Sequence, residues 1–294
     1  MKTALFLIAF ILCVIAAPAM AASGTTTSVS LDERFMLVYT LANLPANTCV
    51  LIALHGATGN GSTFESQTDF DDLGDDTGCI VVHPYGSAPL WMLLSDTWNG
   101  GSCCGQAQAI QINDVGFIRN IIAYMKQNYS IDPTKVYLAG HSTGAIMSYR
   151  YLCTRPQDIA GALLAAGALV SDRSYCASPV NVPITAVYGD DDLNLPPLGG
   201  LRLAGNYFPP FASTKSFLEA RGATFTVYEL ASTGHPYADL DAALGTQFST
   251  SMKTIAEAMT GTYTPAAHQY YSDAATQKPY TYDVSNSNPY QYSP

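Results

Sequence analysis

Short apolar runs recur along this chain, separated by segments whose apolar residues fall at helical spacing. Residues 49–54 (CVLIAL) and 79–83 (CIVVH) are unbroken apolar runs, the pattern of strands buried on both faces. Residues 34–41 (RFMLVYTL) also read as a strand, expected at a sheet edge. Residues 135–139, 182–189 and 224–230 add further strands, and 160–170 holds another. Between them, residues 114–129 place Val115, Ile118, Ile121, Ile122, Met125 and Tyr129 on one helical face, with Asp114 suited to the first turn. Residues 145–152, 211–221 and 239–259 read as helices, and 70–76 as partly helical. Residues 22–30 are small and polar and are expected to fray, and 87–111 reads as irregular. Buried strands alternating with helices predict a mostly parallel central sheet flanked by helices, an α/β fold.

The ends depart from this pattern. Lys2, an apolar stretch from Ala4 to Ala17 and Ala19-Met20-Ala21 together read as a signal peptide over 1–21. The catalytic or binding domain is then expected over 22–261, with a Tyr-, Pro- and Ser-rich tail over 262–294 that lacks apolar periodicity. The expected location is extracellular. Removal of Cys13 with the signal leaves Cys49, Cys79, Cys103, Cys104, Cys153 and Cys176, an even set suited to disulfides in an oxidising compartment. The net charge of −10, with only 13 Lys and Arg and no basic stripe, disfavours nucleic acid and anionic membrane as partners. Neither C-x-x-C nor H-E-x-x-H occurs, so no metal is expected.

The chemistry centres on Gly140-His141-Ser142-Thr143-Gly144, which reads G-x-S-x-G between a strand-like run and a helix-like one. A serine on such a turn is lifted clear of the sheet, and small flanking residues let strand and helix approach closely. A serine nucleophile needs a base, and the base needs an acid to orient it. On this kind of sheet the chain order is serine, acid, histidine, each after a strand. Only His235 and His268 follow Ser142, and His235 lies directly behind a strand. Asp190, Asp191 and Asp192 compete for the acid. Consecutive carboxylates suit a calcium loop poorly, because its ligands normally alternate. An oxyanion would be held by the Thr143 N–H and by one from the glycine-rich turn His55-Gly56-Ala57-Thr58-Gly59, with Ala57 preferred over Thr58. His55, His83 and His141 precede or adjoin the serine, and structural roles are expected for them.

The ordered motifs HGATGNGSTF, VVHPYG, the W-N-G-x-x-C-C-G segment at Trp98, DVGFI at Asp114, GHSTGA and Gly234-His235 resemble those of the esterase/poly(3-hydroxybutyrate) depolymerase family, secreted α/β-hydrolases that include feruloyl and acetylxylan esterases. The resemblance runs from about Val50 to Pro236. It implies an α/β-hydrolase fold and a secreted serine carboxylesterase with Ser142 as nucleophile, His235 as base and Asp192 as acid. It implies feruloyl or acetyl esters of plant polysaccharide as substrates, with a hydroxyalkanoate polyester as the alternative. No cofactor is implied, and a monomer whose only partner is its ester substrate is expected. Trp98, Thr58 and Tyr237 are the expected substrate contacts, and for Trp91 and Trp98 a place in the core is the alternative. The resemblance also implies that Cys103 and Cys104 bond to Cys153 and Cys176, leaving Cys49 to pair with Cys79 across neighbouring strands. A non-catalytic carbohydrate-binding protein on the same fold is the rival of another class.

Overall fold

The computed structural model describes residues 23–87, 96–177, 179–201 and 206–262. The chain opens with strand β1 (Thr25–Leu31), which pairs antiparallel with β2 (Arg34–Thr40) over its whole length. The expected fraying at 22–30 is therefore replaced by an edge strand, and residues 34–40 move one place inward. The polar side chains of β1 remain largely exposed, so backbone pairing rather than burial holds this strand.

Strand β3 (Thr48–Leu54) follows, then two short helices, α1 (Gly61–Gln67) and α2 (Phe70–Thr77), and strand β4 (Ile80–Pro84). Asn60 caps α1 by accepting from the Thr63 N–H at 2.9 Å while Thr63 Oγ1 accepts from the Asn60 N–H at 2.8 Å. Gly78 ends α2 in the left-handed region at φ 75°, where a side chain would be strained. After a short helix α3 (Gly105–Ala109) come α4 (Asp114–Asn128), β5 (Ile131–His141), α5 (Thr143–Thr154) and β6 (Gly161–Ala165). Strand β7 (Pro183–Gly189), a small hairpin of β8 (Gly200–Leu201) and β9 (Tyr207–Phe208), helix α6 (Phe211–Glu219) and β10 (Thr224–Leu230) complete the sheet region. The long helix expected over 239–259 is two helices, α7 (Tyr237–Phe248) and α8 (Met252–Thr262), broken where Ser249 turns to φ 52°.

The main sheet has the order β1-β2-β4-β3-β5-β6-β7-β10. From β4 to β10 neighbouring strands run parallel, and β2 runs antiparallel to both β1 and β4. Side chains alternate between two buried faces. Val50, Ile52 and Leu54 pack with Ile118, Ile121 and Met125 of α4, whereas Leu51 and Ala53 pack with Leu73 of α2 and with Leu240 and Ile255 of α7 and α8. The order reverses at β3, which pairs with β4 on one side and β5 on the other. Open α/β sheets form their crevice at the carboxyl ends of the strands flanking such a switch.

The cysteines pair as Cys49–Cys79, Cys153–Cys176 and Cys103–Cys104. The expected bonds from Cys103 and Cys104 to Cys153 and Cys176 are therefore corrected. Cys103 packs against Ile146, in the first turn of α5. Cys153 lies two turns further along that helix, roughly 10 Å away at 1.5 Å per residue, beyond the span of a disulfide. There the Ala177 N–H donates to the Cys153 carbonyl at 2.6 Å, which brings Cys176 alongside. The signal peptide, Trp91, His268 and the tail from residue 263 lie outside the described residues.

Candidate active site

Four loops meet at the carboxyl ends of β3, β5, β7 and β10. Ser142 sits between β5 and α5 with φ 55° and ψ −119°, a strained conformation for a residue with a side chain. Two close approaches impose it. A Cβ on Gly144 would run into the Leu54 carbonyl oxygen, and one on Gly140 would lie 2.7 Å from the Gly144 carbonyl carbon. The ends of β3 and β5 thus lie hard against the start of α5, and the chain takes its strained turn at Ser142.

His235 Nε2 lies 2.8 Å from Ser142 Oγ, and His235 Nδ1 lies 2.6 Å from Asp192 Oδ2. An ionised carboxylate only accepts, so Nδ1 carries the proton and Nε2 is free to accept from the serine. The other Asp192 oxygen, Oδ1, accepts from the Asn194 and Leu195 N–H groups, each at 2.8 Å. Asp192 is buried, whereas Asp190 and Asp191 are exposed. Burial alone would push the Asp192 carboxyl up. The hydrogen bond and charge of His235 and the two backbone donors outweigh it and hold the carboxyl below its ordinary range. The loops bearing these groups are tied together, because the Asp191 N–H donates to the Thr233 carbonyl at 3.1 Å.

Gly56 turns sharply beside the serine: a Cβ there would lie 3.4 Å from Ser142 Cβ. Ala57 and Thr58 follow it on an exposed turn. Thr143 is the first residue of α5, a position whose N–H has no acceptor within the helix. Both expected oxyanion donors therefore lie on segments adjoining Ser142.

One expected substrate contact, Trp98, is corrected. Trp98 is fully buried, donates its indole N–H to the His55 carbonyl at 3.0 Å and packs on the His55 ring. It supports the β3 turn from beneath. Tyr237 places its ring edge-on against Phe64, Phe70 and His141, with centroids 5.6, 6.4 and 5.9 Å apart. Burial pushes its phenol well above the ordinary value. The other histidines are also engaged. His55 Nε2 accepts from the Gly86 N–H at 3.0 Å, and burial lowers its pKa to about 4. His83 Nε2 faces Asp71 Oδ1 at 3.1 Å. His141 Nε2 contacts the His235 carbonyl oxygen at 2.8 Å, a link the sequence pattern does not announce. Among the described residues, no group of three or more His, Cys, Asp or Glu is arranged to hold a metal.

The profile of the phospholipase/carboxylesterase family matches residues 79–207. A bifunctional acetylxylan esterase/xylanase of Neocallimastix patriciarum is 32% identical over 160 residues, which is 54% of this chain and 21% of that protein. Poly(3-hydroxyalkanoate) depolymerase C of Paucimonas lemoignei is 29% identical over 163 residues, 53% of this chain and 38% of that protein. The chain thus spans well under half the length of these relatives. Among solved structures, an acetyl xylan esterase from Aspergillus awamori superposes with a TM-score of 0.54 at 16% identity, covering 72% of this chain and 94% of that one. By fold the chain is an α/β-hydrolase, and by sequence it is related to carboxylesterases, with acetylxylan esterases and a poly(3-hydroxyalkanoate) depolymerase among its relatives.

Proposed function

We propose that this chain is a secreted serine carboxylesterase whose catalytic residues are Ser142, His235 and Asp192. One observation carries the reading: a single imidazole bridges the serine hydroxyl and a buried carboxylate, at 2.8 Å and 2.6 Å. As Ser142 Oγ attacks an ester carbonyl, His235 Nε2 takes its proton, and Asp192 holds the ring and stabilises the imidazolium. The Thr143 and Ala57 N–H groups receive the developing oxyanion. The imidazolium then protonates the leaving alcohol. An acyl-enzyme remains, and water activated by His235 releases the acid.

The acetylxylan esterases among the relatives favour an acetyl ester on plant polysaccharide as substrate, and the sequence resemblance adds feruloyl esters. A second reading, a hydroxyalkanoate polyester, is favoured by exposed Leu193, next to Asp192, and by exposed Leu198, Leu201 and Tyr207 on the segment that follows. Signal-directed export fits the N-terminal pattern and the paired cysteines. Among the described residues, no helix is long and apolar enough to cross a membrane.

The test is hydrolysis of 4-nitrophenyl acetate, methyl ferulate, acetylated xylan and a hydroxybutyrate oligomer by the wild type and Ser142→Ala. Loss of roughly 10⁴-fold or more in kcat on the best substrate is expected for the variant. Full activity in Ser142→Ala overturns the mechanism. A folded wild type inert on all four esters favours the non-catalytic rival.

A further inference from the structure

The His235 ring can serve Ser142 only if the main chain beneath it is held still. Before the ring, the Thr233 carbonyl accepts from the Asp191 N–H at 3.1 Å. Pro236 follows His235 immediately and brings no N–H, and α7 begins only at Tyr237. The carbonyl of His235 points back toward the sheet and meets His141 Nε2 at 2.8 Å. A carbonyl oxygen can only accept, so the His141 ring carries its proton on Nε2. The two imidazoles lie 5.2 Å apart at 44°, and the Tyr237 ring stands at 85° to His141 with centroids 5.9 Å apart.

The same ring also bounds the proposed oxyanion turn. A Cβ added to Gly56 would come within 3.1 Å of His141 Nδ1. His141 is moreover the residue immediately before Ser142, on the last position of β5. One side chain therefore touches the base loop and the β3 turn, and its backbone leads directly into the nucleophile. Burial lowers its pKa to about 4, so at neutral pH it holds a single proton and offers a single donor.

We propose that His141 is a positioning residue, whose Nε2–H bond to the His235 carbonyl sets where the His235 ring meets Ser142. The assignment rests on the catalytic reading given above, and it extends that reading to a residue that contacts no reacting atom. It separates two roles of the ring. Packing against Tyr237 needs only an aromatic or apolar body, whereas fixing His235 needs a donor at the place Nε2 occupies. Glutamine can carry an amide N–H to about that place. Phenylalanine keeps the ring and removes the donor, and leucine removes the donor with less bulk.

The experiment measures two quantities for wild type, Ser142→Ala, His141→Gln, His141→Phe and His141→Leu. The first is kcat and KM on 4-nitrophenyl acetate. The second is the rate of stoichiometric labelling by diethyl 4-nitrophenyl phosphate. In that reaction Ser142 Oγ bonds to phosphorus, the aryl P–O bond breaks, 4-nitrophenolate leaves and the serine proton passes to His235. Thermal unfolding of each variant identifies those that are folded. Loosened placement of a reacting group costs up to about 100-fold in rate. His141→Phe and His141→Leu are thus expected to lose about 10- to 100-fold in kcat and in labelling rate with KM nearly unchanged, and His141→Gln to stay within about 3-fold of wild type. Wild-type kcat in either folded donor-less variant overturns the proposal, as does a loss in His141→Gln equal to that in His141→Phe. Labelling that persists in Ser142→Ala overturns the catalytic reading itself, and the role of His141 falls with it. Labelling that requires Ser142 but is indifferent to His141 overturns this inference alone.

Discussion

Arg34 Nη1 lies 2.7 Å from Asp114 Oδ1, and the carboxylate is fully buried. The guanidinium stacks over the Phe117 ring at 3.7 Å and donates to the Tyr85 carbonyl at 3.0 Å. Asp114 Oδ2 accepts from the Asn99 N–H at 2.6 Å. A strand at one side of the sheet, the start of α4 and the Trp98-Asn99 segment are thereby joined through one ion pair. The pair explains why Trp98 is held against the β3 turn that borders Ser142. Breaking it from one side strands a buried charge, so Asp114→Ala is expected to lose about 3–5 kcal/mol of stability. Arg34→Met combined with Asp114→Leu is expected to lose clearly less than Asp114→Ala. Denaturant unfolding of the single and double variants checks both values.

Acid acts on the same region through buried imidazoles. His55 and His141 each have a pKa lowered to about 4 by burial. The unfolded chain takes up these protons near the ordinary histidine value of about 6.5, before the folded chain does. Protonation therefore favours unfolding: the contribution of each group is whole above about 6.5 and is lost as pH falls toward 4, by ~3 kcal/mol for a shift of this size. Urea titrations from pH 7.5 to 4.5 are expected to show stability falling with acid. In His55→Gln the slope should flatten by about 1.4 kcal/mol per pH unit in the middle of that window. An unchanged slope would mean that His55 titrates normally in the folded chain.

The three disulfides make separable predictions. Cys49–Cys79 ties β3 to the start of β4 across a sequence separation of 30, and removing it with Cys49→Ala and Cys79→Ala is expected to cost about 3–4 kcal/mol. Cys103–Cys104 closes no chain loop beyond its own two residues. Its replacement by serines is expected to leave the Cys153–Cys176 bond intact. Peptide mapping without reductant checks this: one peptide should contain both Cys103 and Cys104, lighter by two hydrogens than its reduced form and linked to nothing else.

What the residue pattern conveyed and what it withheld follow a common rule. Side chains that face a core carry their environment in their own chemistry, so the two-faced strand β3 and the amphipathic helix α4 were legible. Strand β1 was not, because it is an edge held by backbone pairing and its Thr and Ser side chains face solvent. The break between α7 and α8 falls at Ser249 in the left-handed region, with no glycine or proline to mark it. At the site, chain order and spacing selected Ser142 and His235, and the choice among three aspartates needed the family resemblance. The geometry adds that Asp192 alone of the three is buried and bonded to the imidazole. Trp98 turns out to face the core, because an aromatic near such a motif looks the same in sequence whether it faces the cleft or the core. For His141 the sequence supports only a structural role, because its partner is a main-chain carbonyl 94 residues away, which leaves no trace in residue type.

The segment after Asp192 bears on the choice between substrates. Leu193 and Leu198 are 81% and 88% exposed, and Leu201 and Tyr207 are 66% and 65% exposed. Beneath them Leu195 and Phe208 anchor the segment to Cys103, Ile146 and Val170. Large apolar side chains held outward on an anchored segment beside Asp192 are suited to meeting an apolar solid, whereas a soluble glycan ester gains little from them. The polyester reading therefore predicts a split phenotype. Leu193→Ser with Leu198→Ser should bind less to hydroxybutyrate polymer particles and release fewer soluble products from them, with 4-nitrophenyl acetate turnover within about 2-fold of wild type, because such surface changes are usually nearly neutral for the fold. The polysaccharide reading predicts that acetylated xylan and methyl ferulate are cleaved equally well by the variant and the wild type, and that neither protein adsorbs to the particles. Sedimentation of the particles with bound protein, followed by assay of the supernatant, separates the two.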